Sequence, residues 1–279
     1  MLFRSSRFVV PAFPAMPRPV FALFAALAIL GPPRVAPAAD AEIVAVVACD
    51  PYADLKKQTR WIGGLVDQPA LDGFAESFIM MATQFKGLAG LDVTRPLGLV
   101  VTAVGDAPAV HAYVPVKDLD KLLDALVGML GPVEQVDGVR RVSPPGGMPL
   151  DIVERGGWAI VGPQGSAAPL ADPTAAFTSV VEPFTVGVQA FPGRMTEGMR
   201  RHLEAMLDEA AARAAAQGQP VGQAGIAGLL ENLDDVESLL VGLAVDIAGE
   251  RVAIESRSVM QPGSPAAAAM AELARSEEH

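Results

Sequence analysis

Apolar positions along this chain come in two rhythms: short valine-rich or alternating runs bounded by glycine, proline and aspartate, and longer stretches with a period near 3.6. Glu42 to Ala48 is a run of the first kind and predicts a buried strand. Asp50-Pro51 follows as a helix start, with aspartate as N-cap and proline in the first turn. Tyr52, Leu55, Ile62 and Val66 recur at helical spacing, although Gly63-Gly64 weakens that helix. Pro69 opens a second one, whose Leu71, Phe74, Phe78, Met81 and Phe85 fall on one stripe. After a loop over 87–96 the pattern predicts strands 97–104 and 109–116, then a helix capped by Asp118 that buries Leu119, Leu122, Leu123, Leu126 and Leu130.

The middle of the chain is strand-rich. Val136-Asp-Gly-Val139 is a hairpin signal, because Asp-Gly suits a type I′ turn. Gly156-Gly157 similarly separates 150–154 from 158–161, and 162–173 reads as a loop holding a short helix around Ala167–Ala171. Beyond Pro183 the opening pattern returns. A strand over Phe184–Ala190 precedes a helix from Pro192, lined by Met195, Met199, Leu203, Met206 and Ala210. A second helix follows through Ile226, Leu229, Leu230, Leu233 and Val236, then strands 239–248 and 251–259, and a helix over 265–275 after Ser264.

Both ends of the chain therefore read β-α-α-β-β-α. Pro51 matches Pro192, and Gly98 and Gly105 match Gly242 and Gly249 about a similar strand-turn-strand unit. The expected architecture is α+β: two related β-α-α-β-β-α halves from a diverged duplication, with largely antiparallel sheets, helices packed on one side and hairpins between the halves. The divisions are a leader over 1–38, a first half over 39–131, a hairpin and loop connector over 132–182, and a second half over 183–279.

Charge is distributed unevenly. Arg4, Arg7, Arg18 and Arg34 precede the first acidic residue, Asp40; between them lies the apolar run 19–30, and Ala36-Pro37-Ala38 follows. A basic start, a short apolar core and small residues at an A-x-A site predict a secretory signal peptide. Its removal would leave the chain four charges more acidic than the −11 of the full sequence. That balance disfavours nucleic acid and anionic membrane surfaces. With 51% hydrophobic and 19% charged residues, disorder is disfavoured too. The apolar run is shorter than the roughly 20 residues that span a bilayer, so no membrane span is expected after cleavage. Cys49 is the only cysteine, which excludes an internal disulfide. Val46-Val47-Ala48-Cys49 loosely fits a lipobox, but Arg34, Asp40 and Glu42 separate it from the apolar run, and a buried, quiet thiol is expected.

Three motifs, Gly90-Leu-Asp-Val-Thr-Arg-Pro-Leu-Gly98, Val114-Pro-Val-Lys-Asp-Leu-Asp120 and Gly156-Gly-Trp-Ala159, give the chain its likeness to other proteins. In them it resembles a family of uncharacterised exported proteins best represented in planctomycete bacteria, over roughly residues 42 to 260. The resemblance implies structural motifs and lends no activity. Members continue past the point where this chain stops, which implies either a natural shortening or an incomplete gene model.

Chemistry-bearing patterns are sparse. His111, His202, His279 and Cys49 stand in no metal-ligand spacing, and Asp234-Asp235 with Glu231 and Glu237 lack a calcium-loop pattern and read as a solvated acidic face. No G-x-S-x-G elbow or phosphate-binding glycine loop occurs. No catalytic, metal or cofactor residue is therefore assigned. Alternation places Leu99, Val101, Val110, Ala112, Leu243, Val245, Val252 and Ile254 on a helix-bearing face. The opposite face carries Thr102, His111, Tyr113, Gln189, Asp246, Arg251, Glu255 and Arg257, expected to form a shallow site for a polar ligand or a docking surface for an envelope protein. The function expected is an exported non-catalytic binding or structural protein of the cell envelope. The alternatives are an envelope hydrolase using dispersed carboxylates, or an assembly subunit.

Overall fold

The computed structural model describes residues 3–9, 42–65, 67–68, 71–166, 168–216, 235–265 and 267–268. Phe3–Val9 (β1) lies along the outer edge of a ten-strand antiparallel open sheet. The ten are Ile43–Cys49 (β2), Leu97–Val104 (β3), Ala107–Pro115 (β4), Val133–Val136 (β5), Val139–Val142 (β6), Leu150–Arg155 (β7), Trp158–Pro163 (β8), Val186–Ala190 (β9), Val236–Asp246 (β10) and Arg251–Met260 (β11). Five helices accompany them among the described residues: Tyr52–Leu65 (α1), Leu71–Ala82 (α2), Leu119–Leu130 (α3), Thr174–Val181 (α4) and Glu197–Ala216 (α5). The α+β expectation holds.

With β1 included, the sheet runs β1-β11-β10-β9-β2-β3-β4-β8-β7-β6-β5. The β2 and β9 strands meet at its middle, Val47 opposite Val188. From that pair β3 and β4 extend to one side, and β10 and β11 to the other. The hairpins stand between the two ends of the chain in sequence only. In space they lie beyond β4, where β8 pairs with it from Ala112↔Val161 to Pro115↔Trp158. Asp137 and Gly138 both take positive φ (51° and 81°), as do Gly156 and Gly157, so both tight turns have the mirror-image twist their residues predict.

Helices cover both faces, which corrects the expectation of one. On the first face, α3 packs Leu119, Leu122 and Leu123 on Val142, Ile152 and Ala159, and Met195 and Met199 lie against Val44, Val101 and Val110. On the opposite face α4 lays Phe177 and Val180 over Val46, Ala48, Val100, Tyr113, Trp158 and Ile160. Tyr113, Trp158 and Phe177 meet edge to face there, with ring centres 5.7–6.5 Å apart. The helix falls at Thr174–Val181, and residues 168–171 are not helical. Pro192 opens a short 3-10 turn, with α5 starting only at Glu197. Val236 starts a strand and not the end of a helix, while the rest of the expected 226–236 helix lies outside the described residues. Ser264 caps the next helix through its Oγ, which accepts from the Ala267 N–H; most of that helix also lies outside the described residues.

Two strand glycines let aromatic rings lie on the sheet. A Cβ at Gly98 would press into the Val47 carbonyl and stand 2.9 Å from the Phe177 ring. One at Gly242 would run into the Phe184 ring. In an interior strand these positions serve close approach and need no special turn.

Candidate functional site

Alternation correctly places the eight polar candidates on one face. Val100 opposes His111 and Gly98 opposes Tyr113; Val46 opposes Gln189; Asp246 opposes Arg251, Gly242 opposes Glu255, and Leu240 opposes Arg257. It does not bring them together. Five strand spacings separate β4 from β11, about 24 Å at some 4.8 Å each.

Nor is the face open at its centre, because α4 and the loop before it cover His111 and Tyr113, 3% and 0% exposed, and Thr102 is 0% exposed as well. Thr102 Oγ1 donates to the Ala109 carbonyl. Tyr113 Oη accepts from the Leu170 N–H at 2.9 Å and donates to the Leu170 carbonyl at 3.1 Å, pinning the loop that leads into α4. His111 Nε2 lies 3.0 Å from Ser166 Oγ. That hydroxyl directs its hydrogen to the Pro163 carbonyl at 2.6 Å, so the imidazole is the donor to Ser166, and Nδ1 is buried without a partner among the described residues. Burial lowers the His111 pKa to about 4, which keeps the ring neutral. A serine whose proton is already committed to a carbonyl is not activated by this histidine; the pair fastens the loop.

The remaining candidates are also engaged. Gln189 Oε1 accepts from Ser179 Oγ on α4, and Asp246 accepts from the Gly249 N–H in the β10–β11 turn. Buried Glu255 faces Arg251 at 3.7 Å. The Arg257 guanidinium lies 5.6 Å from the centre of the Phe184 ring, with its Nε unpartnered among the described residues.

The three motifs singled out in the sequence, 90–98, 114–120 and 156–159, converge at one place near the end of β4. Gly90, at φ 90°, accepts from the Lys117 and Asp118 N–H groups, and a Cβ there would collide with the Asp118 carbonyl. Asp92 accepts from the N–H and hydroxyl of Thr94, which hold its carboxyl below the usual range. Arg95 lies flat on Trp158, 4.1 Å from the ring centre, and donates to the Gly157 carbonyl at 3.1 Å. Val116 N–H donates to the same carbonyl. These residues clamp a loop, a helix start and a hairpin turn together.

Cys49 is buried, its thiol directed to the Leu97 carbonyl and its pKa pushed up to about 12 by burial and by the Asp50 charge. His202 is exposed on α5, and Asp234, Glu231 and His279 lie outside the described residues. Among the described residues no cluster of three His, Cys, Asp or Glu side chains could hold a metal, and no helix is long and apolar enough to cross a membrane.

A shallow cleft of about 350 Å³ lies between α3 and the β5–β6 hairpin, with Asp120, Asp124, Gln135 and Arg140 at its walls. Asp120 holds Arg140 at 2.7 Å and Asp124 holds Lys86 at 2.8 Å, so both carboxylates face cations. Exposed apolar side chains occur at Met81, Phe85 and Met129, and at Val241 and Ile254 on the last two strands. Sequence reasoning missed the marginal place of β11, with only β1 outside it, because the order of strands in a sheet is decided by pairing between distant segments. No family model matches the chain, and no curated protein or solved structure matches it significantly.

Proposed function

We propose that this is an exported, non-catalytic binding or structural protein of the bacterial cell envelope. The observation that carries the reading is the use made of its polar side chains. Tyr113, His111 and Arg95 hold loops of the same chain, while the apolar Val241 and Ile254 stand exposed on β10 and β11, whose outer side meets only β1, a segment of the expected leader. Export is supported by the arginine-rich start, the apolar run and the Ala36-Pro37-Ala38 site. The likeness to exported planctomycete proteins points the same way.

We also infer that the chain arose by duplication. The support is the sheet order, which runs outward alike from both sides of the β2–β9 pair, and the matched placing of Gly98 under Phe177 and Gly242 under Phe184. Among the described residues, a place where the hydrolase alternative could act is the Asp120–Asp124 cleft, where two carboxylates share a wall.

Intact mass of the protein recovered from the envelope fraction of the producing cell tests the reading. The chain should begin at about residue 39 or 40, and the recovered protein should turn over no chromogenic ester, peptide or glycoside. Full-length chain retained in the membrane would overturn export. Turnover abolished by Asp120→Asn would replace binding with hydrolysis.

A further inference from the structure

The β11 strand is a long edge. All of its length pairs inward with β10, from Val236↔Met260 to Asp246↔Arg251. Its outer side is taken by β1, from Phe3↔Ser258 to Val9↔Ala253, with the register broken between Ser5 and Phe8. Those residues lie upstream of the proposed cleavage at Ala38, so the inference that follows rests on the export reading. Once they are gone, the outward N–H and C=O groups of β11 are unpaired, and such an edge is a template for another strand. The corresponding edge on the other side of the sheet, that of β4, is covered by β8.

We propose that the mature protein pairs β11 with β11 of a second copy, antiparallel about a two-fold axis at Ser256. The register follows from elementary constraints. In a strand, alternate residues direct both backbone groups outward, so a strand pairing antiparallel with itself must be centred on a residue and not between two. Centres at Glu255 and Arg257 set two like charges face to face on the axis, and a centre at Ile254 opposes Arg251 to Arg257. A centre at Ala253 pairs only the first half of the strand. A centre at Ser256 pairs Val252 with Met260, Ala253 with Val259 and Ile254 with Ser258, and sets each Glu255 opposite an Arg257 of the other copy.

Charge favours that occupant over the leader. The β1 register sets Arg4 opposite Arg257, and like charges directly opposite disfavour a strand pair. The second copy replaces that arginine with a carboxylate, and Arg257 has a buried Nε with no hydrogen-bond partner among the described residues. Ile254, 57% exposed, gains Met260 of the second copy as a diagonal neighbour on its face. Pairing joins the two sheets into one and removes both β11 edges.

The test uses the full chain with a specific protease site placed at residues 38–39, purified, cut, and freed of the released peptide by gel filtration. Sedimentation velocity should show a monomer before cutting and twice that mass afterwards. Ser256→Cys should then form an interchain disulfide in nearly every cut molecule, since opposed Cα atoms at about 4.5–5.5 Å suit the bond. Ile254→Cys and Ser258→Cys should not, and buried Cys49 does not compete. Ile254→Lys should raise the dissociation constant at least tenfold and, being on an exposed position, leave the melting temperature nearly unchanged. Cut chain that stays monomeric at tens of micromolar overturns the proposal, as does cross-linking at 254 or 258 equal to that at 256. Failure of export alone is read separately, as residues 1–38 retained on the protein isolated from the cell.

Discussion

Tyr113 and His111 stand on a strand whose alternation marks them as a polar face, and both are core residues. Their polar atoms meet groups of the loop before α4, and Tyr113 also belongs to the aromatic cluster with Trp158 and Phe177. The His111 ring makes stability depend on pH. Its folded pKa of about 4 lies below the ordinary 6.5, so the unfolded chain takes up the proton first. Stability is complete above about pH 6.5 and is lost as pH falls through about 4, by up to about 3 kcal/mol. Urea unfolding at pH 7.5, 5.5 and 4 should trace this loss, and His111→Gln should flatten it. Cys49 gives a second prediction at this scale. With its pKa near 12, thiolate is scarce at neutral pH, and a maleimide dye should label the folded protein at least tenfold more slowly than the urea-unfolded chain. Equal rates would place the thiol at the surface. Burial of Cys49 was legible from its valine-rich run. Burial of Tyr113 was not, because nothing local announces that a helix sixty residues away will cover it.

Strands and hairpins follow their local patterns closely. The Asp137-Gly138 and Gly156-Gly157 turns take the backbone their residues favour, and Asp118 caps α3 by accepting from the Lys121 N–H. The element that local pattern does not disclose is α4. It has only eight residues, of which Phe177 and Val180 are buried, too short a stretch for helical periodicity to stand out. Its docking explains the strand glycine beneath it. Gly98→Ala is expected to cost about 2–3 kcal/mol, because a methyl group would displace Phe177 from the sheet. Gly64→Ala, on α1 with nothing within 4 Å, should instead stabilise by about 0.5–1 kcal/mol. Midpoints of denaturant unfolding measure both, and a neutral Gly98→Ala would mean that α4 is loosely held.

At the scale of the whole molecule the central β2–β9 pair makes the two ends of the chain one cooperative body. Neither end has a sheet edge of its own at that boundary, so separating them would expose two rows of backbone groups and the residues around Val46 and Ala48. Fluorescence of Trp61 and Trp158 should therefore report unfolding together with the far-ultraviolet circular dichroism of the whole chain. Two separated transitions would mean halves that fold independently. The sequence by itself determined the α+β class, most strands, both tight hairpin turns, the alternation that puts eight polar residues on one face, and the buried thiol. These depend on neighbours in the chain: side-chain period, turn chemistry and caps. Tertiary structure alone decided that the centre of this face lies under α4, that its residues spread across the strands from β4 to β11, that the hairpins sit outside β4, and that β11 lies at the margin of the sheet with only β1 outside it. Each of those is a choice of partner between segments far apart in sequence, and many such choices satisfy the same local pattern.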